Sequence, residues 1–144
     1  MDRWRVKAAV NLLSGATPLG LLVAAAGRAR VTPGPRGLLL AHGYRLHHPR
    51  GAAFTVGNVV LTRDDAAHWA SRPRLLLHEE RHSWQYVACL GLPLLPLYLA
   101  AAGWSLLRGG DPYAHNVFER LAGLDDGGYP TLSRRERRRR APAA

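Results

Sequence analysis

The sequence contains a single cysteine, Cys89, among 144 residues. One cysteine cannot form an internal disulfide, and the lack of others excludes a structural zinc site built from thiolates. Lysine is almost absent as well, since 19 of the 20 basic residues are arginine. An internal repeat and a glycine-rich loop that could cradle phosphate are both missing. Any metal site in this chain must therefore use histidine and carboxylate ligands.

The length suits one domain with a hydrophobic core, and a hydrophobic content of 47% excludes wholesale disorder. The formal net charge is +10, but Arg134–Arg140 alone carries six arginines and one glutamate, which is half of the excess. Such a run could bind nucleic acid or anionic lipid. No aromatic residue interleaves it, so the sequence favours a disordered, solvated tail over residues 131–144.

Residues 1–30 predict a hydrophobic helical segment. Ala8–Gly27 carries no charge, and its basic start and alanine-rich end are also typical of a signal peptide, which would imply secretion. Polar and helix-breaking residues interrupt the apolar run, however, among them Asn11, Gly15 and Pro18. We therefore expect a retained segment, packed on the domain or on a membrane, and a cytoplasmic or membrane-associated protein.

Residues 37–62 predict a small antiparallel sheet. Gly37–Tyr44 is one expected strand, and Ala53–Thr62 is the clearest, because it is rich in β-branched and apolar residues. Gly57-Asn58 is either a bulge within the second strand or a tight turn that divides it. Three histidines lie near these strands, but no companion spacing ties them to a metal site: His42, His47 and His48.

The pattern His78-Glu79-x-x-His82 lies within a predicted helix from Pro73 to Leu90. Residues four apart share one helical face, so both imidazoles can point at one metal ion. Glu79 is offset by about 100° and suits a general base acting on a metal-activated water. Gln85 falls near the same face. The alternative is an exposed turn with two solvated histidines, but three leucines precede the motif and favour a buried helix.

Tyr86–Leu107 has no charged residue over 22 positions, which is long enough to span a bilayer. Pro93 and Pro96 should break it into two pieces. One interpretation is the end of the motif helix, a turn and a second buried helix from Leu94 to Leu107. In the other, the same two pieces lie in or on a membrane. The sequence leaves both open.

A third ligand is expected on a helix predicted over Pro112–Gly123, with Asp111 as its N-cap. Glu119 is the candidate there. Two histidines and one carboxylate leave a fourth position open for water, as in hydrolytic zinc sites. The rivals for the third ligand are His115, Asp125 and Asp126.

The order of these features resembles the minimal gluzincin-type metallopeptidases of bacteria. The resemblance covers residues 52–128: the strand around Phe54–Gly57, then HExxHxxQ ending at Gln85, then Glu119 in an E-x-x-A context. It implies a single α+β domain, with a small antiparallel sheet and a zincin-like helical part over residues 31–130. It also implies zinc held by His78, His82 and Glu119.

The resemblance further implies that Glu79 is the base and that Gln85 braces the site. No residue is marked as the oxyanion stabiliser, and Tyr113, His115 and Tyr129 are candidates by position only. The expected function is a zinc-dependent metallohydrolase, foremost a peptidase acting on a peptide or protein. Two alternatives remain: an inactive zincin-like metal-binding protein, or a membrane-associated or nucleic-acid-binding interaction protein with an accidental HExxH motif.

Overall fold

The computed structural model describes residues 2–141; Met1 and residues 142–144, the outer ends of the predicted N-terminal segment and tail, lie outside the described residues. The chain divides into two compact parts, an N-terminal part up to Leu94 and a C-terminal part from Leu95 onward. The described residues form a mixed α+β fold with seven α-helices and one four-stranded sheet, as the α+β prediction required.

The N-terminal part holds the sheet and four helices. The helices are α1 (Arg3–Leu13), α2 (Ala16–Ala26), α3 (Ala67–Ser71) and α4 (Pro73–Ala88). The strands are β1 (Arg30–Pro33), β2 (Leu39–His42), β3 (Ala53–Val56) and β4 (Val59–Thr62). A core of apolar side chains, among them Leu38, Val60 and Trp69, packs β2, β3 and β4 against α3 and α4.

The sheet is mixed, so the prediction of a purely antiparallel sheet is wrong for one strand pair. The strand order is β1-β2-β4-β3, and β2 and β4 run parallel, with Leu39 opposite Val59. Gly57, with a φ of +63°, makes the tight turn that divides the predicted long strand into the β3–β4 hairpin. All four residues of β4 are buried, which suits a central strand covered on both faces. β4 therefore lies next to β2, and β3 takes the edge.

β1 was not predicted, because Thr32 and Pro33 suggested only a turn. It pairs antiparallel with β2 at the other edge of the sheet, and its residues are mostly exposed. Proline is tolerated at a strand end on an edge, where its missing N–H breaks no ladder bond.

Helix α2 lies directly on the sheet: a side-chain carbon at Gly20 would stand 2.4 Å from the backbone oxygen of Val56. No single helix within residues 2–141 has the length and apolar character needed to cross a membrane, whereas α1 and α2 together, with a 72° bend, reach those values by length and composition alone. The uncharged stretch Tyr86–Leu107 is divided by turns at residues 89–93, as the prolines predicted.

Two buried polar networks join α1 to the motif helix α4. In the first, Lys7, which is fully buried, lies 3.3 Å from Glu80 Oε1, and Arg36 Nε donates to Glu80 Oε2 at 2.6 Å. In the second, Asn11 Nδ2 donates to Asn58 Oδ1 at 2.8 Å, and Ser83 Oγ donates to the same oxygen at 2.6 Å. The N-terminal helix therefore supplies two buried groups that hold α4 in its position.

The C-terminal part consists of α5 (Leu94–Gly109), α6 (Val117–Ala122) and α7 (Arg134–Arg140). The predicted helix over Pro112–Gly123 is shorter than expected. Asp111 Oδ1 accepts hydrogen bonds from the backbone N–H groups of Tyr113 and Ala114, which closes a turn instead of starting a helix. The helix begins only after Asn116, whose side chain caps it by accepting from the N–H of Phe118 at 3.0 Å.

Residues 134–140 form a helix where the charge run predicted a disordered tail. Ser133 and Glu136 make a reciprocal capping box: the hydroxyl of Ser133 accepts from the N–H of Glu136, and the carboxylate of Glu136 accepts from the N–H of Ser133. This motif satisfies two backbone donors at the start of the helix and offsets part of the repulsion among the arginines.

Candidate metal centre

The helix α4 begins at Pro73 and carries the HExxH motif at its middle, as predicted. Its four-residue spacing brings the Nε2 atoms of His78 and His82 to 3.1 Å from each other. Both imidazoles are buried, with 1% and 8% of their residue surfaces exposed. Two imidazole ligands of one tetrahedral zinc ion would have their nitrogens roughly 3.3 Å apart, given Zn–N bonds of about 2.0–2.1 Å. The observed pair is thus spaced for chelation.

Gln85 lies one turn beyond His82 and contacts its ring. The side-chain oxygen Oε1 of Gln85 is 2.8 Å from Nδ1 of His82. An amide oxygen only accepts hydrogen bonds, so Nδ1 of His82 carries the proton and Nε2 presents its lone pair. This is the tautomer that a metal ligand through Nε2 requires.

Glu79 is buried beside the two histidines, with 2% of its surface exposed. The hydroxyl of Thr55, on β3, donates to Glu79 Oε2 at 2.7 Å and lies 3.2 Å from the Glu79 backbone oxygen. Tyr86, two turns beyond Glu79 on α4, donates through its hydroxyl to the backbone oxygen of Thr55 at 3.3 Å. The edge strand and the motif helix therefore fix the orientation of this carboxylate together.

Glu119 occupies the first turn of α6 and is buried, with 2% of its surface exposed. The hydroxyl of Tyr98, on α5, donates a hydrogen bond to Glu119 Oε1. Burial raises the pKa of Tyr98, and the Glu119 carboxylate raises it further, so the phenol stays protonated and acts as a donor. One oxygen of Glu119 is thereby held by a neutral donor on a neighbouring helix.

His78, His82 and Glu119 form a buried group that could hold a metal ion, with one ligand atom of each residue within 4.8 Å of the others. Imidazole nitrogens and a carboxylate oxygen are a donor set that zinc accepts, and three protein ligands are typical of sites that retain an open position. The structure thus brings the three predicted ligands together in a group that could hold a metal ion, whereas metal binding itself and the identity of the metal stay predictions.

The three candidate oxyanion stabilisers occupy different settings in the C-terminal part. The rings of Tyr113 and Tyr129 stack with their centroids 4.1 Å apart, and both hydroxyls lie near enough to Tyr98 to raise its pKa. His115 instead has Nε2 4.0 Å from Glu136 Oε2. Tyr113 and Tyr129 therefore share the surroundings of Tyr98 and Glu119, while His115 faces the start of α7.

The rival ligands are placed less favourably for a buried metal site. Asp125 and Asp126 lie in the turn that follows α6, and Asp125 is exposed. His47 and His48 are exposed in the loop after β2. His42 is buried, and its Nε2 lies 3.0 Å from the Thr32 hydroxyl; burial also lowers the pKa of His42.

Two contacts of the site were not predicted from the sequence, those of Thr55 and Tyr98. In the sequence Thr55 is one of the β-branched residues of the strand Ala53–Thr62, and Tyr98 is an aromatic residue of the uncharged stretch Tyr86–Leu107 that suits either a membrane interface or a buried core. Tyr98 does carry a weak signal, because it is the only side chain with a hydrogen-bonding group between Leu94 and Gly103. A lone phenol in an apolar helix needs a partner when it is buried.

Comparison of the chain with protein-family models, with curated proteins and with solved structures gives no match.

Proposed function

We propose that the protein is a zinc-dependent hydrolase of the gluzincin-like type that cleaves peptide bonds. In this proposal His78, His82 and Glu119 bind zinc, and Glu79 is the general base. The observation that carries it is the 3.1 Å separation of the two buried Nε2 atoms, with a buried carboxylate at the adjacent position of the same helix. An accidental HExxH on a solvated helix would leave these three side chains exposed.

The roles of the surrounding residues follow from their contacts. Zinc bound to this group would lower the pKa of a water molecule and polarise a carbonyl oxygen. Glu79, held through Oε2 by Thr55, takes a proton from the attacking water and passes it to the departing amine nitrogen. Gln85 keeps His82 in the tautomer with a lone pair on Nε2. Tyr98 orients Glu119 by donating to one of its oxygens.

Substrate selection in the proposal involves the edge of the sheet. β3 is the last strand in the order β1-β2-β4-β3, so no further strand pairs with its outer edge within the described sheet. Thr55 on this strand contacts Glu79 directly. An extended peptide that pairs with β3 would therefore run past the proposed base, which favours a peptide over a compact small molecule as substrate.

The first test measures metal content and hydrolysis on the same preparations. Zinc would be quantified by elemental analysis after equilibration with a chelator buffer, and turnover with a fluorogenic peptide library. We expect about one zinc per chain for the wild type and hydrolysis of a subset of peptides. Glu79→Gln should keep the zinc and lose hydrolysis by a factor on the order of 100 or more. Glu119→Gln should lose both.

Asp125→Asn is the matched control for Glu119→Gln, because it also converts one carboxylate to an amide in the same part of the chain. It should leave zinc content and hydrolysis unchanged. Loss of zinc in Asp125→Asn but not in Glu119→Gln would assign the third ligand to the turn after α6. A wild type that binds zinc yet cleaves no peptide would support the inactive metal-binding alternative, and a wild type without zinc would overturn the proposal.

A further inference from the structure

The helix α5 exposes a broad apolar side. Five large apolar residues of this helix have about half or more of their surface exposed to solvent: Leu97 (49%), Leu99 (69%), Trp104 (55%), Leu106 (49%) and Leu107 (73%). Arg108 is the only charged residue of the helix. From Leu97 to Leu107 this side runs for about 15 Å at the usual helical rise. An uncharged side of this size marks an interaction surface more often than a solvated one.

One end of this apolar side meets a concentrated positive charge. Arg135 Nη1 donates to the backbone oxygens of Leu107 at 2.7 Å and of Arg108 at 3.2 Å, at the C-terminal end of α5. The N–H of Arg134 donates to Asp111 Oδ2 at 2.8 Å. These bonds attach the start of α7 to the end of α5. The start of α7 is thus held at the C-terminal end of the apolar side.

The charge at this end is almost entirely positive. α7 contains six arginines and one glutamate, and no residue of it is buried. The glutamate, Glu136, is engaged in the capping box with Ser133. Arg108 adds a further guanidinium at the junction, and its Cζ lies 5.5 Å from the ring centre of Trp104. Tryptophan next to arginine is a pairing typical of the interface between lipid chains and headgroups.

We propose that the exposed side of α5 and the arginines of α7 together form a binding surface for an anionic phospholipid bilayer. Leu97, Trp104 and Leu107 would enter the boundary between headgroups and acyl chains, while the arginines bind lipid phosphates. Neither element suffices alone, since stable attachment to a membrane surface generally needs an apolar and an electrostatic contribution. The surface is independent of the proposed metal chemistry.

Nucleic acid is the competing partner for an arginine run, and the structure favours lipid. Arg135 of α7 is bonded to the backbone oxygens of Leu107 and Arg108, at the end of the helix whose exposed side carries Leu97, Trp104 and Leu107. Single-stranded nucleic acid binding usually combines basic groups with aromatic residues interleaved among them. None is present between Ser133 and Ala141.

The test is co-sedimentation of the full-length protein with vesicles. We expect tight binding to vesicles of phosphatidylcholine with 30% phosphatidylglycerol, weak binding to pure phosphatidylcholine, and loss of binding as salt is raised. The triple variant Arg138→Gln/Arg139→Gln/Arg140→Gln should bind anionic vesicles on the order of a hundredfold more weakly. The control with the same change of charge, Arg3→Gln/Arg30→Gln/Arg50→Gln, should bind like the wild type.

The apolar contribution has its own pair of variants. Trp104→Gln/Leu107→Gln should weaken vesicle binding by about tenfold or more, whereas Leu13→Gln/Leu90→Gln, two leucines exposed in the N-terminal part, should not. Quenching of tryptophan fluorescence by lipids with brominated acyl chains should disappear in Trp104→Phe and persist in Trp4→Phe. Equal losses in both arginine triple variants, or binding to RNA but not to anionic vesicles, would overturn the proposal.

Discussion

The Nδ1 atom of His82 lies 2.8 Å from the side-chain oxygen of Gln85. The other ring nitrogen of His82, Nε2, lies 3.1 Å from Nε2 of His78. The three residues lie on one helix at positions i, i+4 and i+7, so a single element sets both the separation of the imidazoles and the tautomer of one of them. The motif helix therefore prearranges two of the three proposed protein ligands before any other element contributes.

Removing the acceptor at Gln85 should weaken zinc binding. We expect Gln85→Leu to raise the zinc Kd by about 10- to 100-fold, because His82 would lose the partner that holds its ring and tautomer. Gln85→Glu, which retains a side-chain oxygen acceptor, is the matched control and should bind zinc at least as tightly as the wild type. Competition with a chelating dye measures both values. An unchanged Kd in Gln85→Leu would show that packing alone orients His82.

Removing the hydroxyl of Thr55 should impair the base and not the metal. In Thr55→Val the Glu79 carboxylate loses its 2.7 Å hydrogen bond while the side-chain shape stays nearly the same. We expect zinc content to remain at the wild-type value and peptide hydrolysis to fall by roughly tenfold, since a mispositioned base transfers protons less effectively. Thr55→Ser should restore hydrolysis. If Thr55→Val instead lost zinc, β3 would be supporting the ligands.

Removing the hydroxyl of Tyr98 should act through Glu119. Burial and the neighbouring carboxylate raise the pKa of Tyr98, so its hydroxyl donates to Glu119 over the whole neutral range. We expect Tyr98→Phe to raise the zinc Kd by about tenfold. Tyr86→Phe, which removes a buried hydroxyl whose partner is Thr55, is the control and should change the zinc Kd little. Equal effects of the two variants would argue against a specific role for Tyr98.

Glu80 should make the stability of the fold depend on acid pH. Burial by itself raises the pKa of Glu80, but the hydrogen bond from Arg36 and the charge of Lys7 outweigh it and hold the pKa below 4.5. The unfolded chain therefore binds this proton at a higher pH than the folded one. The stabilisation is fully present above pH 4.5 and is lost as the pH falls through the folded pKa. Burial also lowers the pKa of Lys7, but from 10.5, so Lys7 stays charged throughout the acid range.

Urea unfolding of wild type, Glu80→Gln and Asp125→Asn at pH 7, 4 and 3 tests this. At pH 7 we expect Glu80→Gln to lower the free energy of unfolding by roughly 3–5 kcal/mol, because Lys7 is left buried without its counter-charge. Between pH 4 and pH 3 the wild type should lose more stability than Glu80→Gln. Asp125→Asn removes an exposed carboxylate and should follow the wild type. Parallel curves for wild type and Glu80→Gln would exclude Glu80 as the source of the acid sensitivity.

The parts of the site that were predicted are those that depend on local spacing. The face shared by His78 and His82 follows from the helical repeat, and the start of α4 at Pro73 follows from the preference of proline for the first helical turn. The choice of Glu119 as a candidate ligand was also made from the sequence, although its helix begins at Val117 and not at Pro112. The start at Pro112 was predicted from Asp111 as an N-cap, but aspartate also closes turns, and Asp111 does so here.

The capping of α7 has a local signal in the sequence. Ser133-x-x-Glu136 is a capping-box pattern, and it precedes the arginine run directly. The charge run alone suggested disorder, because repulsion among like charges opposes a helix. The bonds from Arg135 to the end of α5 could not be predicted, since they join residues 27 and 28 positions apart.

The sequence by itself determined which residues can chelate a metal and on which helix two of them lie. Residues four positions apart on an α-helix always lie on the same face. Only the tertiary structure decided which side chains form hydrogen bonds or ion pairs with Glu79, Glu119 and Glu80. Thr55 reaches Glu79 across 24 positions, Tyr98 reaches Glu119 across 21, and Lys7 reaches Glu80 across 73. Each of these pairs depends on how strands and helices pack. Packing is a property of the whole hydrophobic core, which no local pattern encodes.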